Sequence, residues 1–171
     1  MSKEYIYEQK KIGKYTVKVV QDTDPLNPRE DWEPLSTMIC FHSRYNLGDK
    51  HNFSDPEDEG LVSLLKDKNV LWLPLYLYDH SGITMNTAGF SCGWDSGQVG
   101  IIYITKDKYR KAFSCKKVLK KKAYDLLRDE VEVYDNYLTG EVYGFVVEDE
   151  NGEQIDSCWG FFGDTDDCLK E

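Results

Sequence analysis

The sequence has no long uninterrupted hydrophobic run in its 171 residues. A membrane-spanning helix needs roughly 18 apolar residues in succession, and no stretch comes near that length. The first residues, MSKEYIYEQKK, also lack the apolar centre of a secretion signal. We therefore expect a cytoplasmic protein that does not bind membranes. Its 40% hydrophobic content, with twelve tyrosines and four tryptophans, is enough for a single packed domain.

Histidine and cysteine are scarce, with three and five copies, and no pair stands at the spacing of a local zinc site. The odd number and wide spacing of the cysteines, which include Cys168, indicate reduced thiols. A calcium loop starting at Asp22 is excluded, because Leu26 and Asn27 replace an oxygen ligand and the required glycine. Phosphate-binding, zinc-protease and serine-hydrolase signatures are missing as well. We expect neither a metal nor a cofactor.

Basic side chains are outnumbered by acidic ones, so the formal net charge is -10. That balance argues against a nucleic-acid binder, which needs a broad cationic surface. The charge is unevenly spread: residues 106–122 hold nine basic side chains, whereas at least fourteen carboxylates follow residue 124. The basic segment is either a solvated helix face or a docking surface for a charged partner.

The N-terminal third predicts two strands separated by a long loop. Residues 15–20 and 36–42 are short apolar runs rich in β-branched or aromatic residues. Between them, QDTDPLNPREDWEP contains three prolines and several carboxylates, which prevent a helix or a central strand. Loops of this length in a compact domain are often functional, so the segment is a candidate contact surface.

Three helices and further strands are predicted beyond that loop. A short helix starts at Ser54 or Asp55 and runs to Leu65, and Thr105 caps a second one. Apolar residues at three- and four-residue spacing predict a long helix over residues 117–138, ended by Gly140. The run VLWLPLYLY predicts a strand with a bulge or an edge position at its proline, and two short strands follow it.

The end of the chain predicts a β-hairpin, because residues 141–149 and 154–162 flank Asn151-Gly152. Residues 164–171 are expected to form a frayed tail. The elements together predict a single α+β domain over residues 1–171, with one twisted antiparallel sheet, one long and two short helices, and a C-terminal hairpin.

Two groups of residues could carry chemistry. Cys92 follows Asp79 and His80 in the chain, and thiol, imidazole and carboxylate are the components of a cysteine nucleophile; the simpler interpretation is a buried reduced thiol. His42 and Arg44 lie where a strand runs into a loop and could bind a phosphate or a carboxylate. The alternative there is that Arg44 pairs with Asp49 to hold the loop.

Three segments of the chain have unusual sequences: WEPLSTMICFHSRYNLGDKH, FSCGWDSGQVGIIYI and YDNYLTGEVYGFVVEDENGEQIDSCWGFFG, with the motifs W-x-x-L-x-T-M-x-C-x-H-x-R-Y-x-L-G-D and C-x-W-D-S-G-Q. They resemble an uncharacterised family of accessory proteins from bacteriophages and mobile elements. The resemblance implies a protein acting in the bacterial cytoplasm and carries over no catalytic residues. Small acidic phage proteins of this kind often act by stoichiometric binding, for example by occupying the cationic nucleic-acid channel of a host defence nuclease.

Our first hypothesis is accordingly a non-enzymatic binding protein, such as an inhibitor of the anti-CRISPR or anti-restriction type, that contacts a host or phage protein. The expected contact residues are Asp22, Asp24, Glu30, Asp31, Trp32, His42, Arg44, Asp49, Glu148, Asp149 and Glu150. The alternative is a small hydrolase that uses Cys92, His80 and Asp79, and a third interpretation is an assembly component.

Overall fold

The computed structural model describes residues 5–163 and residue 165. In chain order these residues form β1 (Ile6–Ile12), β2 (Tyr15–Gln21), β3 (Thr37–Cys40), α1 (Glu59–Lys66), β4 (Val70–Asp79), β5 (Ile83–Asn86), β6 (Ser96–Thr105), α2 (Lys106–Ala112), α3 (Lys120–Thr139), β7 (Val142–Glu148) and β8 (Gln154–Phe162). All strand pairs are antiparallel. The expected α+β class, with one long and two short helices and a C-terminal hairpin, is confirmed.

The strands divide between two four-stranded sheets, where the sequence suggested one. The described residues also form two compact units. One unit contains residues 5–27, 136–163 and 165, and the other contains residues 28–135. Most of the expected frayed tail, with Cys168, lies outside the described residues. In the described part of the chain, no helix is long and apolar enough to cross a membrane.

The first unit holds the sheet with strand order β1-β2-β7-β8. Its inner strands β2 and β7 carry the buried Val19, Val20, Val142 and Val146, whereas all seven residues of β1 are exposed. The sequence did not predict β1, because the polar centre of IYEQKKI shows no alternation of apolar and polar residues. The hairpin of β7 and β8 forms around Asn151-Gly152, as expected.

The second unit holds the sheet with strand order β3-β6-β4-β5. Pro74 lies in β4 beside a register shift between Leu75 and Tyr76, and β5 pairs only with the far end of β4, from Tyr76 onward. Pro74 therefore has no neighbour in β5 that would need a backbone N–H from it. This confirms the bulge or edge position expected for the proline. One short strand precedes β6, whereas two were expected.

Helix α1 begins later than the sequence suggested. Asp58 is its N-cap and accepts hydrogen bonds from the Gly60 and Leu61 amides, at 2.9 and 3.3 Å. Asp55 instead accepts from the Glu57 amide at 2.8 Å in a local turn. The prediction of a start at Ser54 or Asp55 was wrong because the preceding residues favour a side-chain turn over helix.

Helix α3 follows its predicted pattern closely. Ala123, Leu127, Val131 and Tyr134 are buried at three- and four-residue spacing along one face. The chain leaves the helix at Gly140, where a φ of 76° suits glycine. Thr105 also caps α2 as expected, since its hydroxyl accepts from the Lys108 amide at 3.2 Å.

Candidate binding surface

The loop between β2 and β3 is held by a buried cation. We call residues 28–36, all in the second unit, the anchored loop. The Arg29 side chain is 1% exposed, and its Nε and Nη2 donate to the two carboxylate oxygens of Asp49 at 2.8 and 2.6 Å. Its Nη1 donates to Glu130 at 3.0 Å, and Nη2 also donates to the Ser36 carbonyl at 3.1 Å. One guanidinium thus joins the loop to α3 and to the segment after β3.

Glu130 fixes the far end of the anchored loop from α3. Its carboxylate accepts hydrogen bonds from the Leu35 amide at 2.9 Å and the Ser36 amide at 3.2 Å, and from the Ser36 hydroxyl. Asp49 accepts in the same way from the Met38 amide at 2.8 Å. The loop therefore has a defined conformation although it contains no helix or strand.

The electrostatics of this network keep the guanidinium charged. Burial lowers the pKa of Arg29, but the hydrogen bond and charge of Asp49, with those of Glu130, outweigh it and leave the pKa above its ordinary value. Burial, reinforced by the negative charge of Asp49, raises the pKa of the Cys40 thiol to about 12. Cys40 is therefore protonated at neutral pH and is no nucleophile.

A groove lies between the anchored loop and α3. Its volume is about 290 Å³, and its lining is mainly apolar, with Pro28, Trp32, Pro34, Leu35 and Val133. Carboxylates of Glu33, Asp129 and Glu130 also border it. Trp32 is 44% exposed. An apolar groove edged by carboxylates suits a partner side chain that has an apolar stem and a cationic end.

The structure separates the residues expected to bind a partner. Glu30, Asp31 and Trp32 are exposed on the anchored loop. Asp22 and Asp24 belong to the other unit, where Asp22 accepts from the Asp24 amide at 3.1 Å in a local turn. Asp49 is committed to Arg29 and the Met38 amide, so its role is to anchor the loop.

A second, more polar cleft contains His42 and Arg44. Its volume is about 310 Å³, and Asp79, Asp95 and Gln98 also line it. Arg44 forms an ion pair with Asp79, and the nearest oxygen of Asp79 lies 3.9 Å from His42 Nε2. The expected alternative, a pair between Arg44 and Asp49, was wrong, because Arg29 takes both oxygens of Asp49.

The imidazole of His42 holds the local turn. Its Nδ1 accepts from the Arg44 and Tyr45 amides, each at 3.2 Å, so a neutral ring carries its proton on Nε2. Tyr45 stacks on the imidazole with ring centroids 5.1 Å apart, and the Arg44 guanidinium lies over the Tyr45 ring. An anion in this cleft would have to compete with Asp79 for Arg44.

The imidazole and the carboxylate of the alternative cysteine site have other partners in the structure. His80 Nδ1 lies 3.2 Å from Asp95, whereas Asp79 faces Arg44 and His42. Within residues 5–163 no hydrogen bond joins the Cys92 thiol to His80. Without a base in contact, the thiol lacks the activation that nucleophilic catalysis requires.

The acids of the C-terminal hairpin are mostly occupied in structure. Glu148 forms an ion pair with Lys18 of β2. Asp149 organises the hairpin loop by accepting from the Asn151 and Glu153 amides, at 2.8 and 2.9 Å. These hydrogen bonds, led by the one from Glu153, lower the pKa of Asp149. Of the expected contact residues here, Glu150 is exposed and carries no hydrogen bond within the described chain.

The basic segment surrounds α2 and the start of α3. Arg110 pairs with Asp107 at 2.7 Å, and Lys106 and Lys108 donate to backbone carbonyls. The other six cations form no ion pair with any residue that the structure describes: Lys111, Lys116, Lys117, Lys120, Lys121 and Lys122. Positive charge therefore remains open to solvent on this face. In residues 5–163 and 165 no group of three metal-ligating side chains occurs.

Sequence reasoning missed Arg29 and Glu130, which organise the site. Arg29 is the one cation in the acidic stretch of residues 22–33, and this could have suggested that it pairs with carboxylates. Nothing in the sequence distinguishes Glu130 from the other acids of α3, because its partners, two backbone amides and Arg29, lie 94 to 101 positions away.

No family model, no curated protein and no solved structure matches the chain.

Proposed function

We propose that the protein acts by binding another protein, and that the anchored loop is its main contact surface. The observation that carries the proposal is the network around Arg29. A buried cation held by two carboxylates fixes a loop with no regular secondary structure, and the loop presents Trp32 beside an apolar groove.

Preorganisation is the physical reason that this loop suits binding. A mobile loop loses conformational entropy when a partner orders it, whereas a loop already fixed by hydrogen bonds loses much less. Tryptophan is also over-represented among the residues that dominate binding energy, especially beside a pocket that a partner side chain can fill. The anchored loop combines both features.

The charge around the loop indicates a cationic partner surface. The loop carries three neighbouring acids, Glu30, Asp31 and Glu33. Asp129 borders the groove from α3. The net charge of -10 adds a long-range attraction to any basic surface and raises the association rate at low ionic strength. The same balance disfavours direct binding of nucleic acid.

The resemblance to phage accessory proteins extends this proposal to a partner in the infected bacterial cell. A host defence protein that binds nucleic acid has a cationic channel, and an acidic surface with an aromatic anchor would occupy such a channel. Lys108 of the basic segment donates to the Pro34 carbonyl of the anchored loop at 3.4 Å, so lysines adjoin the acidic surface and the mimicry of nucleic acid is incomplete.

The test compares two tryptophan variants as capture baits. Trp32→Ala removes the proposed anchor, and Trp94→Ala is the matched control, because Trp94 is 97% exposed outside the loop. Each bait and the unchanged protein would be incubated with lysate of phage-infected bacteria at low and high salt. We expect a protein that the unchanged chain and Trp94→Ala retain, that Trp32→Ala loses, and that high salt releases.

Two results would overturn the proposal. One is a captured partner that binds all three baits equally, which would place the interface elsewhere. The other is a set of baits that retain no protein at either salt concentration although each bait is folded. A partner lost with Trp32→Ala but indifferent to salt would keep the loop as the contact surface and remove the electrostatic part of the argument.

A further inference from the structure

The outer edge of β1 is exposed. All seven residues of the strand are exposed, and β1 stands first in the order β1-β2-β7-β8, so no described strand covers its outer side. Four large side chains accompany the open edge: Tyr5, Ile6, Tyr7 and Ile12, each at least 44% exposed. An open edge of this kind can accept another strand through its unpaired backbone groups.

The backbone groups that face outward can be identified from the pairing. The Gln21 amide donates to the Tyr5 carbonyl at 3.2 Å, so Gln21 turns its backbone toward β1. Because the direction of the backbone groups alternates along a strand, the odd-numbered residues of β2 face β1. The even-numbered residues of β1 that pair with them after the register shift face β2 in turn. Gln9 and Lys11 therefore direct their N–H and C=O groups away from β2.

This geometry restricts how a second copy of β1 could pair with the first. In an antiparallel pair the outward-facing residues must lie opposite one another. One such register sets Lys10 against Lys10 of the second copy, and another sets Glu8 against Glu8. Like charges directly opposite destabilise a strand pair. The register centred on Gln9 instead places each Glu8 opposite Lys10 of the other copy.

We propose that β1 is a self-association edge, at which two copies pair antiparallel about Gln9. The pairing contains two symmetric contacts between Glu8 and Lys10. In the single chain Glu8 and Lys10 are exposed, and neither has an ion-pair partner among residues 5–163. The charge pattern of the strand is thus complementary to itself when reversed, which is what a two-fold symmetric contact requires.

The expected dimer is a weak one. The register shift between Ile6 and Glu8 interrupts the regular ladder at Tyr7, so the central pairing extends over few residues. Two short edge strands bury much less than the roughly 1,600 Å² of a standard stable interface. We therefore expect association in the micromolar range, dependent on protein concentration.

The test is a charge exchange measured by sedimentation equilibrium of the full chain, from about 5 to about 500 µM. Glu8→Lys places two lysines in each contact, and Lys10→Glu places two carboxylates there, so each single variant should raise the dimer dissociation constant about tenfold or more. The double variant Glu8→Lys/Lys10→Glu restores opposite charges and should return the dissociation constant to near that of the unchanged chain.

Hydrogen exchange provides a second measurement. The Gln9 amide points outward, so it should exchange rapidly in dilute protein and slow down as the concentration rises, whereas the Lys10 amide should be protected throughout. A protein that is monomeric over the whole range would overturn the proposal. A dimer that neither single variant weakens, or that the double variant fails to restore, would do the same, because the contact would then lie on another surface.

Discussion

Replacing Arg29 is the most direct test of how the anchored loop is held. The guanidinium donates hydrogen bonds to the carboxylates of Asp49 and Glu130 and to the Ser36 carbonyl. Arg29→Met keeps much of the side-chain volume and removes these hydrogen bonds. It leaves two carboxylates close together without a cation, with side-chain exposures of only 19% and 16%.

The size of the effect follows from that loss. Breaking a buried ion pair by removing one partner costs about 3–5 kcal/mol, and the partial exposure of both carboxylates places the expected loss near the lower limit, about 3 kcal/mol. Arg29→Lys keeps the positive charge, but one ammonium group cannot reproduce the planar fork that reaches both carboxylates. We expect it to cost about half as much, roughly 1.5 kcal/mol.

The assay is urea unfolding followed by tryptophan fluorescence, with hydrogen exchange of the Leu35 and Ser36 amides as a local measurement. The control is Arg128→Met, whose side chain is 53% exposed and pairs with Asp125 at 3.2 Å. The control should change the free energy of unfolding by less than about 0.5 kcal/mol. If Arg29→Met matched the control and left both amides protected, the anchoring role of Arg29 would be refuted.

Three further predictions concern other parts of the chain. Gly100→Ala should destabilise the protein by about 3 kcal/mol or more in urea unfolding, because an added Cβ would meet the Ile39 carbonyl and, at 2.9 Å, the Cys40 Cα; Gly97→Ala on the same strand, with nothing within 4 Å, should change little. Asp149 has a lowered pKa in the folded chain. The stability that its carboxylate contributes is therefore fully present above the ordinary pKa of an aspartate and is lost as the pH falls through the folded pKa. Asp149→Asn should therefore lose less stability than the unchanged chain as the pH falls below about 4. If both proteins lost stability equally at acid pH, the hydrogen bonding of Asp149 in the turn would be contradicted. For the thiols, a maleimide should leave Cys40 unmodified while the chain is folded, because its raised pKa keeps the thiol protonated, and a fast reaction of Cys92 at neutral pH would revive the hydrolase hypothesis.

Local sequence patterns determined much of the fold. The three- and four-residue spacing of apolar residues located α3, Gly140 marked its end, and Asn151-Gly152 located the hairpin. These signals depend on neighbours within a few positions of the chain, where propensity and turn chemistry act directly. The start of α1 was misplaced because several nearby polar residues could each serve as a cap, and only their side-chain geometry selects Asp58.

The tertiary structure alone decided the division into two sheets and the identity of the site. Composition placed an acidic loop before β3, but the carboxylate partners of Arg29 come from positions 20 and 101 residues further along the chain. The expected pair of Arg44 with Asp49 failed for the same reason, since Asp49 is bound by a cation that sequence proximity did not suggest. Ion pairs between distant segments form only after the backbone has brought those segments together, so charge and spacing in the sequence can name the candidates but cannot choose among them.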